Sequence, residues 1–334
     1  MIGRRLSCGH ALRVLLVAVS GLTVIGAAQD AAPPGFQRFM ARGRIPAVDD
    51  PQFVPASAAK LPPEAWVLGV VVEGRARAYS LNLLNAHEVV NDRFGDRPVA
   101  VIWCPLANAG AAYDRRVEGR ELRFETSGVL MNGSIVVQDK ETDSFWPVIL
   151  GKAAVGPLKG TPMTPLPATV KTQWKDWRRD HPDTLVWSYG GDEHIERSPY
   201  QSYIESPFGH KGIVAKDTRL KTKDPIYAFE HAGRHYAVPF RAFLGGRAFG
   251  VGGRSIFLFR PPDVAVYYST RAYASSSGFV QKDGAWVDQA TGARFDPANG
   301  AFVGASTPQT LSGFDTFWYM WSLTHPDTEV VAAP

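Results

Sequence analysis

Apolar and polar residues alternate along most of this chain with a period near two, the spacing of half-buried strands. Val67 to Glu73 and Arg75 to Leu81 flank Gly74 and predict a hairpin, and Pro98 to Cys104, Glu121 to Thr126 and Ser134 to Asp139 predict further strands with turns between them. Two kinds of short helix interrupt the alternation. One runs from Leu81 to Glu88. The other is a Trp-x-x-Trp segment that occurs twice, each time just before His-Pro-Asp-Thr, where Pro182 and Pro326 should stop it. The spacing of Trp174 and Trp177 puts both rings on one helical face, the mark of a core anchor. The expected fold is mainly β with a few short helices, in the α+β class.

The second feature is repetition. Trp174 to Thr184 recurs as Trp318 to Thr328, Asp139-Lys-Glu-Thr142 recurs as Asp288-Gln-Ala-Thr291, and Gly74-Arg75 recurs as Gly233-Arg234. The order of the matches is kept, which predicts an internally duplicated chain with related β-rich halves at 61–190 and 222–334. Residues 191–221 match nothing and read either as a linker or as a covering loop, with Tyr200 and Tyr203 favouring a cover. Residues 29–60, rich in Pro and Ala, read as an extended arm with little structure of its own. His181 and His325 hold the same place in both copies and read as architectural, while His231 and His235 flank an expected exposed turn.

Composition narrows the class. Of 334 residues 45% are hydrophobic, with 9 Trp, 11 Tyr and 18 Phe, enough apolar surface to exclude a disordered chain. The 32 Gly and 25 Pro favour many short elements joined by tight turns. The formal charge of +4 owes much to the first 28 residues, which hold Arg4, Arg5 and Arg13 and no acid, so charge gives no argument for nucleic acid. Those residues read as a secretory signal peptide: a basic start, an apolar run from Leu12 to Ile25, then Gly26, Ala27 and Ala28. The run is short of the ~20 apolar residues that span a bilayer, and no later stretch reaches that length. A periplasmic or secreted mature chain is the expectation.

Removal of the leader takes Cys8 with it and leaves one thiol, Cys104, so no internal disulfide is possible. Cys104 ends the apolar run Val99 to Trp103 and precedes Pro105-Leu106-Ala107-Asn108, a small-residue loop whose amides favour a thiolate. His87 stands shortly before that strand and is the expected proton acceptor for the sulfur, with Glu88 or Asp92 to fix its ring. Asn108 and the loop amides would hold the developing negative charge. Asn91-Asp92 reads as a turn, and Trp103 and Pro105 frame the sulfur. The leading expectation is a thiol-dependent oxidoreductase, or another nucleophilic centre, acting on an unidentified small molecule. Two alternatives stand beside it: a copper protein using Cys104, His87 and Met131, and a non-catalytic extracytoplasmic binding module whose aromatic surface includes Tyr200 and Tyr203. Cys-x-x-Cys, His-Glu-x-x-His and phosphate-loop motifs are missing from the sequence.

Ile45 to Pro51, the Asn85-x-His87-Glu-x-x-Asn91-Asp92 block, Trp103-Cys104-Pro105-Leu106, Ser127-Gly128, Asp139-x-x-Thr142 and both His-Pro-Asp-Thr segments resemble the bacterial domain of unknown function 3179 family. Many members carry Cys-Pro-Leu-Cys, and some relatives are described as selenoproteins, so the resemblance implies a reactive chalcogen at Cys104. Ala107 stands where the second cysteine would be. Oxidised Cys104 would therefore need an external thiol reductant. Arg260-Pro261-Pro262 fills the corresponding loop of the second half and carries no cysteine.

Overall fold

Six hairpins share one two-residue turn, Glu73-Gly74, Glu118-Gly119, Asn132-Gly133, Ala232-Gly233, Gly252-Gly253 and Asp283-Gly284, in which both residues have positive φ. That backbone matches the twist of the flanking strands, and glycine takes the second position without a Cβ penalty. The chain is described by a computed structural model that covers residues 33–166 and 169–331; residues 1–28, read above as a signal peptide, lie outside the described residues. Strands dominate, with four short α-helices among the described residues, as the alternation predicts.

Around the first hairpin, Trp66–Val72 with Arg75–Ser80, a five-stranded sheet forms in the order Thr169–Gln173, Trp66–Val72, Arg75–Ser80, Leu185–Ser188, Gln52–Pro55. A second sheet has the order Phe314–Phe317, Pro225–His231, Arg234–Pro239, Glu329–Val330. The first four strands of the one correspond to the four of the other, including the one parallel neighbour in each, Leu185–Ser188 beside Arg75–Ser80 and Glu329–Val330 beside Arg234–Pro239; Gln52–Pro55 has no counterpart in the second sheet. Their helices also match. Trp174–Asp180 ends where the His181 N–H bonds the Trp177 carbonyl, and Trp318–Thr324 where His325 bonds Trp321, both at 2.8 Å. The second indole of each helix donates to the threonine of His-Pro-Asp-Thr, Trp177 to Thr184 at 3.0 Å and Trp321 to Thr328 at 2.8 Å. The motif is thus a clamp that fixes helix to strand.

The Trp177 ring lies over Gly69, where a Cβ would fall inside the ring's van der Waals surface. Gly69→Ala is therefore expected to displace the indole and destabilise the fold by about 1–3 kcal/mol. Urea unfolding checks this as a lower midpoint at unchanged slope.

The cysteine strand, Arg97–Cys104, is central in a sheet of order Thr164–Pro165, Ala109–Asp114, Arg97–Cys104, Val89–Phe94, Val48–Asp49. Val99 to Ile102 are all fully buried, which is why this run is continuously apolar and not alternating. Cys104 belongs to a core that also takes in Phe317, Trp318 and Tyr319, so both halves contribute to one interior. The described residues, 33–166 and 169–331, belong to one compact unit.

Three expectations need correction. The helix at Leu81 ends at Leu84, because the chain turns through Asn85 and Glu88 takes φ 57, outside any right-handed helix. Asn91 and Asp92 lie in the Val89–Phe94 strand and make no turn; the turn follows at Gly95. The arm is stitched in: Phe36–Arg38, Val48–Asp49 and Gln52–Pro55 pair with strands of three different sheets. The expected exposed turn between His231 and His235 is present at Ala232-Gly233, and the His235 ring beside it stacks 3.9 Å from that of His325.

Candidate functional site

Cys104 ends its strand opposite Ala109, and its side chain is 1% exposed. The Ile135 N–H donates to the sulfur at 3.3 Å. Burial pushes the thiol up to about 12 and the Glu88 charge adds to the shift; the Ile135 and Ala107 amides and the Ser134 hydroxyl pull the other way without prevailing. In this closed arrangement the sulfur is a neutral thiol at any physiological pH.

Glu88 is the acidic group that faces it. Its backbone is locked in the left-handed region by its own N–H, bonded to the Leu84 carbonyl at 2.6 Å, and by its carbonyl, bonded to the Trp103 N–H at 2.8 Å. The side chain is buried, and burial raises the carboxyl to about 8, opposed weakly by the Tyr200 hydroxyl at 3.5 Å. Glu88 and Asn108 (φ 53) are the only buried non-glycine residues with positive φ among those described, and they flank the sulfur in sequence. Backbone held in that region costs on the order of 1 kcal/mol or more and persists only where the surroundings impose it.

Residues 191–221 cover the site. The Tyr203 hydroxyl donates to the Leu106 carbonyl at 2.8 Å, inside the cysteine loop, and lies 2.9 Å from the Tyr319 hydroxyl, which accepts the His210 N–H. Tyr200, Tyr203 and Tyr319 are all held protonated, first by burial and in part by proximity to the sulfur. The edges of the cover are tied to the Leu81 helix, through Ser80 to His194 at 2.9 Å, Asn82 to the Ile195 carbonyl at 2.7 Å and Asn85 to Ser198 at 3.1 Å. Lys223 anchors the far side, donating to the Tyr203 carbonyl at 2.7 Å beneath the tyrosine ring.

The other expected site residues are distributed differently. His87 takes no part at the sulfur: its Nδ1 is 3.0 Å from the Pro46 carbonyl and its ring packs against Tyr189 and Trp187. Adjacent residues leave a chain on opposite sides, so a Glu88 turned inward sends His87 outward. Asp92 does not orient that ring; it bonds Arg77 and Tyr79. Asn91 joins Asp49 and the Phe124 backbone. The Asn108 amide donates to the Val266 carbonyl at 2.9 Å and so braces the two halves. Trp103 donates to Asn85 at 2.8 Å, and Pro105 lines a shallow cleft beside it. Met131 is half-buried between Phe36 and Ser134 in its sheet, and no hydrogen bond joins Cys104, His87 and Met131. No group of three or more His, Cys, Asp or Glu fit to hold a metal occurs among the described residues.

Sequence reasoning missed Tyr319 and Lys223. A signal was present: Tyr319 stands where the first Trp-x-x-Trp helix has Lys175, a difference between copies that a scaffold alone would not require.

A family model for a protein of unknown function matches residues 42–328, nearly the whole chain. The chain belongs to the DUF3179 family. No curated protein and no solved structure matches this DUF3179 member. No helix of the described residues is long and apolar enough to cross a membrane.

Proposed function

We propose that this is an exported single-thiol protein in which Cys104 is shielded at rest, Glu88 carries the proton, and movement of residues 191–221 uncovers the sulfur. The observation that supports this reading is the gathering of a thiol, a carboxyl raised to about 8 and the hydroxyls of Tyr200, Tyr203 and Tyr319 in one buried place. Titratable groups pushed far from their ordinary values cluster at functional sites more often than in inert cores. Two of those hydroxyls arrive on a segment that has no counterpart in the second half.

In the uncovered state water reaches both acids, and each falls towards its ordinary value. The Glu88 carboxylate takes the thiol proton, and the sulfur attacks one sulfur of an external disulfide. The old S–S bond breaks, the departing thiolate takes the proton back from Glu88, and a mixed disulfide remains. A second external thiol must resolve it, since Ala107 stands where a resolving cysteine would be.

Alkylation of Cys104 by iodoacetamide, followed by mass spectrometry of its peptide, tests the reading. Native protein is expected to react far more slowly than unfolded protein, at a rate that low urea leaves unchanged, as local opening requires. Tyr203→Phe removes the bonds to Leu106 and Tyr319 and should raise the rate up to about tenfold. A rate that follows global unfolding in urea, with no gain from Tyr203→Phe beyond its effect on stability, makes the thiol structural and ends the proposal.

A further inference from the structure

A second site is built into the opposite side of the Asn108 loop. A cavity of about 420 Å³ lies between the halves, lined by Lys171, Tyr113 and Met163 from the first and by Asp315, Tyr227 and Trp321 from the second. That volume is within the range of small-molecule pockets, and its walls mix aromatic and aliphatic side chains with the charged Lys171, Glu230, Arg271 and Asp315.

One of its charged groups lacks an ion pair. Lys171 is 2% exposed, and its ammonium donates to the Asn108 carbonyl. Arg260, which holds the loop position of the second half that Cys104 holds in the first, is 1% exposed and bonds the Tyr268 and Ala265 carbonyls. Glu230 and Arg271 also line the cavity, and the carboxylate that reaches Arg260 is Asp315, at 3.9 Å. Its oxygens are taken by the Thr270 N–H at 3.0 Å and the Thr270 hydroxyl at 2.5 Å. No other carboxylate is paired with Lys171 or Arg260 among the described residues. Lys171 is thus a buried cation in the cavity wall with no carboxylate at ion-pairing distance among the described residues, an arrangement that a protein core tolerates poorly without a nearby negative charge. Burial accordingly lowers the Lys171 ammonium to about 8 despite Asp315.

The Tyr113 hydroxyl gives a second, independent indication. The residue is 2% exposed, lines the same cavity, and its hydroxyl has no hydrogen-bond partner. Buried hydroxyls are almost always satisfied, and one left free in a cavity wall is a donor awaiting an acceptor.

We propose that this cavity binds a small organic acid, one carboxylate on a compact apolar body, with the carboxylate held by Lys171 and Tyr113 and the body packed between Tyr227 and Trp321. Lys171 has three donor directions and uses one on Asn108, so it can meet a carboxylate without giving up its present bond. The carboxylate gives Lys171 the ion pair it lacks. The site does not depend on the reading of Cys104.

The test is calorimetric titration of the full-length protein with paired acids and amides of one skeleton: isobutyrate and isobutyramide, benzoate and benzamide, phenylacetate and phenylacetamide. At least one acid is expected to bind with Kd on the order of 0.1–1 mM, at least about tenfold more tightly than its amide. Lys171→Met keeps the chain length, removes a buried charge and should abolish the preference for the acid. Tyr113→Phe loses no bond in the free protein, so it should leave stability unchanged and weaken the acid severalfold. The proposal is overturned if no pair binds saturably at millimolar concentration, if acid and amide bind alike, or if the preference survives in both variants.

Discussion

Glu88→Gln is expected to abolish a loss of stability that the parent protein shows as the pH rises through neutrality. Burial keeps the folded-state carboxyl protonated up to about 8, whereas the unfolded chain gives up the proton near 4.5. Between those limits the folded state binds more protons than the unfolded one, so stability falls as pH rises. The fall amounts to roughly 3–5 kcal/mol across the window, a large fraction of what holds a domain together. Glutamine has the shape of the protonated acid and keeps an oxygen for the Tyr200 hydroxyl, but it cannot ionise. His325 works in the opposite sense: burial, with His235 beside it, lowers it to about 4, so its contribution is gained as pH rises towards 6.5. That contribution is common to both proteins and cancels in the difference. Urea unfolding of parent and variant at several values between about pH 5 and pH 8.5 makes the measurement, the variant gaining on the parent at every alkaline step. Parallel curves would show that Glu88 ionises freely, and the site built around it would go.

Asp139→Ala should cost at least about 3 kcal/mol. The carboxylate is fully buried and accepts four bonds: the Thr142 N–H at 2.5 Å, the Thr142 hydroxyl at 2.9 Å, the Ser144 N–H at 3.1 Å and the Trp146 indole at 2.9 Å. Each donor stranded without water costs about 1–3 kcal/mol, and alanine strands all of them. Asp139→Asn is no rescue, because its amide nitrogen would face donors. The counterpart Asp288 holds Ser275, Ala290 and Thr291 but no indole, since Phe295 follows where the first half has Trp146. Asp288→Ala should therefore cost less, and urea midpoints of the two variants give the ranking. A loss below about 1 kcal/mol for Asp139→Ala would mean that water replaces the carboxylate.

Much of this architecture can be read from residue order because the signals are local. Glycine at the second position of a two-residue turn registers each hairpin, and Trp-x-x-Trp before His-Pro-Asp-Thr carries helix, stop and clamp within eleven residues. The location of the buried thiol was equally legible from the apolar run that ends at Pro105. Its neighbours were not. Whether His87 or Glu88 turns towards Cys104 depends on one left-handed residue, and a one-residue difference in phase exchanges the two side chains. The tyrosines arrive from residues about 100 and 215 positions away, a separation that no periodicity encodes. The Pro- and Ala-rich arm gave no strand signal because its short strands take their hydrogen bonds from sheets elsewhere.

That arm also dictates an order of events. Phe36–Arg38 must wait for Phe124–Met131, Val48–Asp49 for Val89–Phe94, and Gln52–Pro55 for Leu185–Ser188, some 130 residues further along. A chain emerging from its N-terminus first carries these ribbons unpaired until the last of them finds its place. Each then closes the rim of a different sheet. A protein clipped near residue 60 would keep its interior yet bare three sticky margins at once, and its expected fate is to precipitate rather than to unfold.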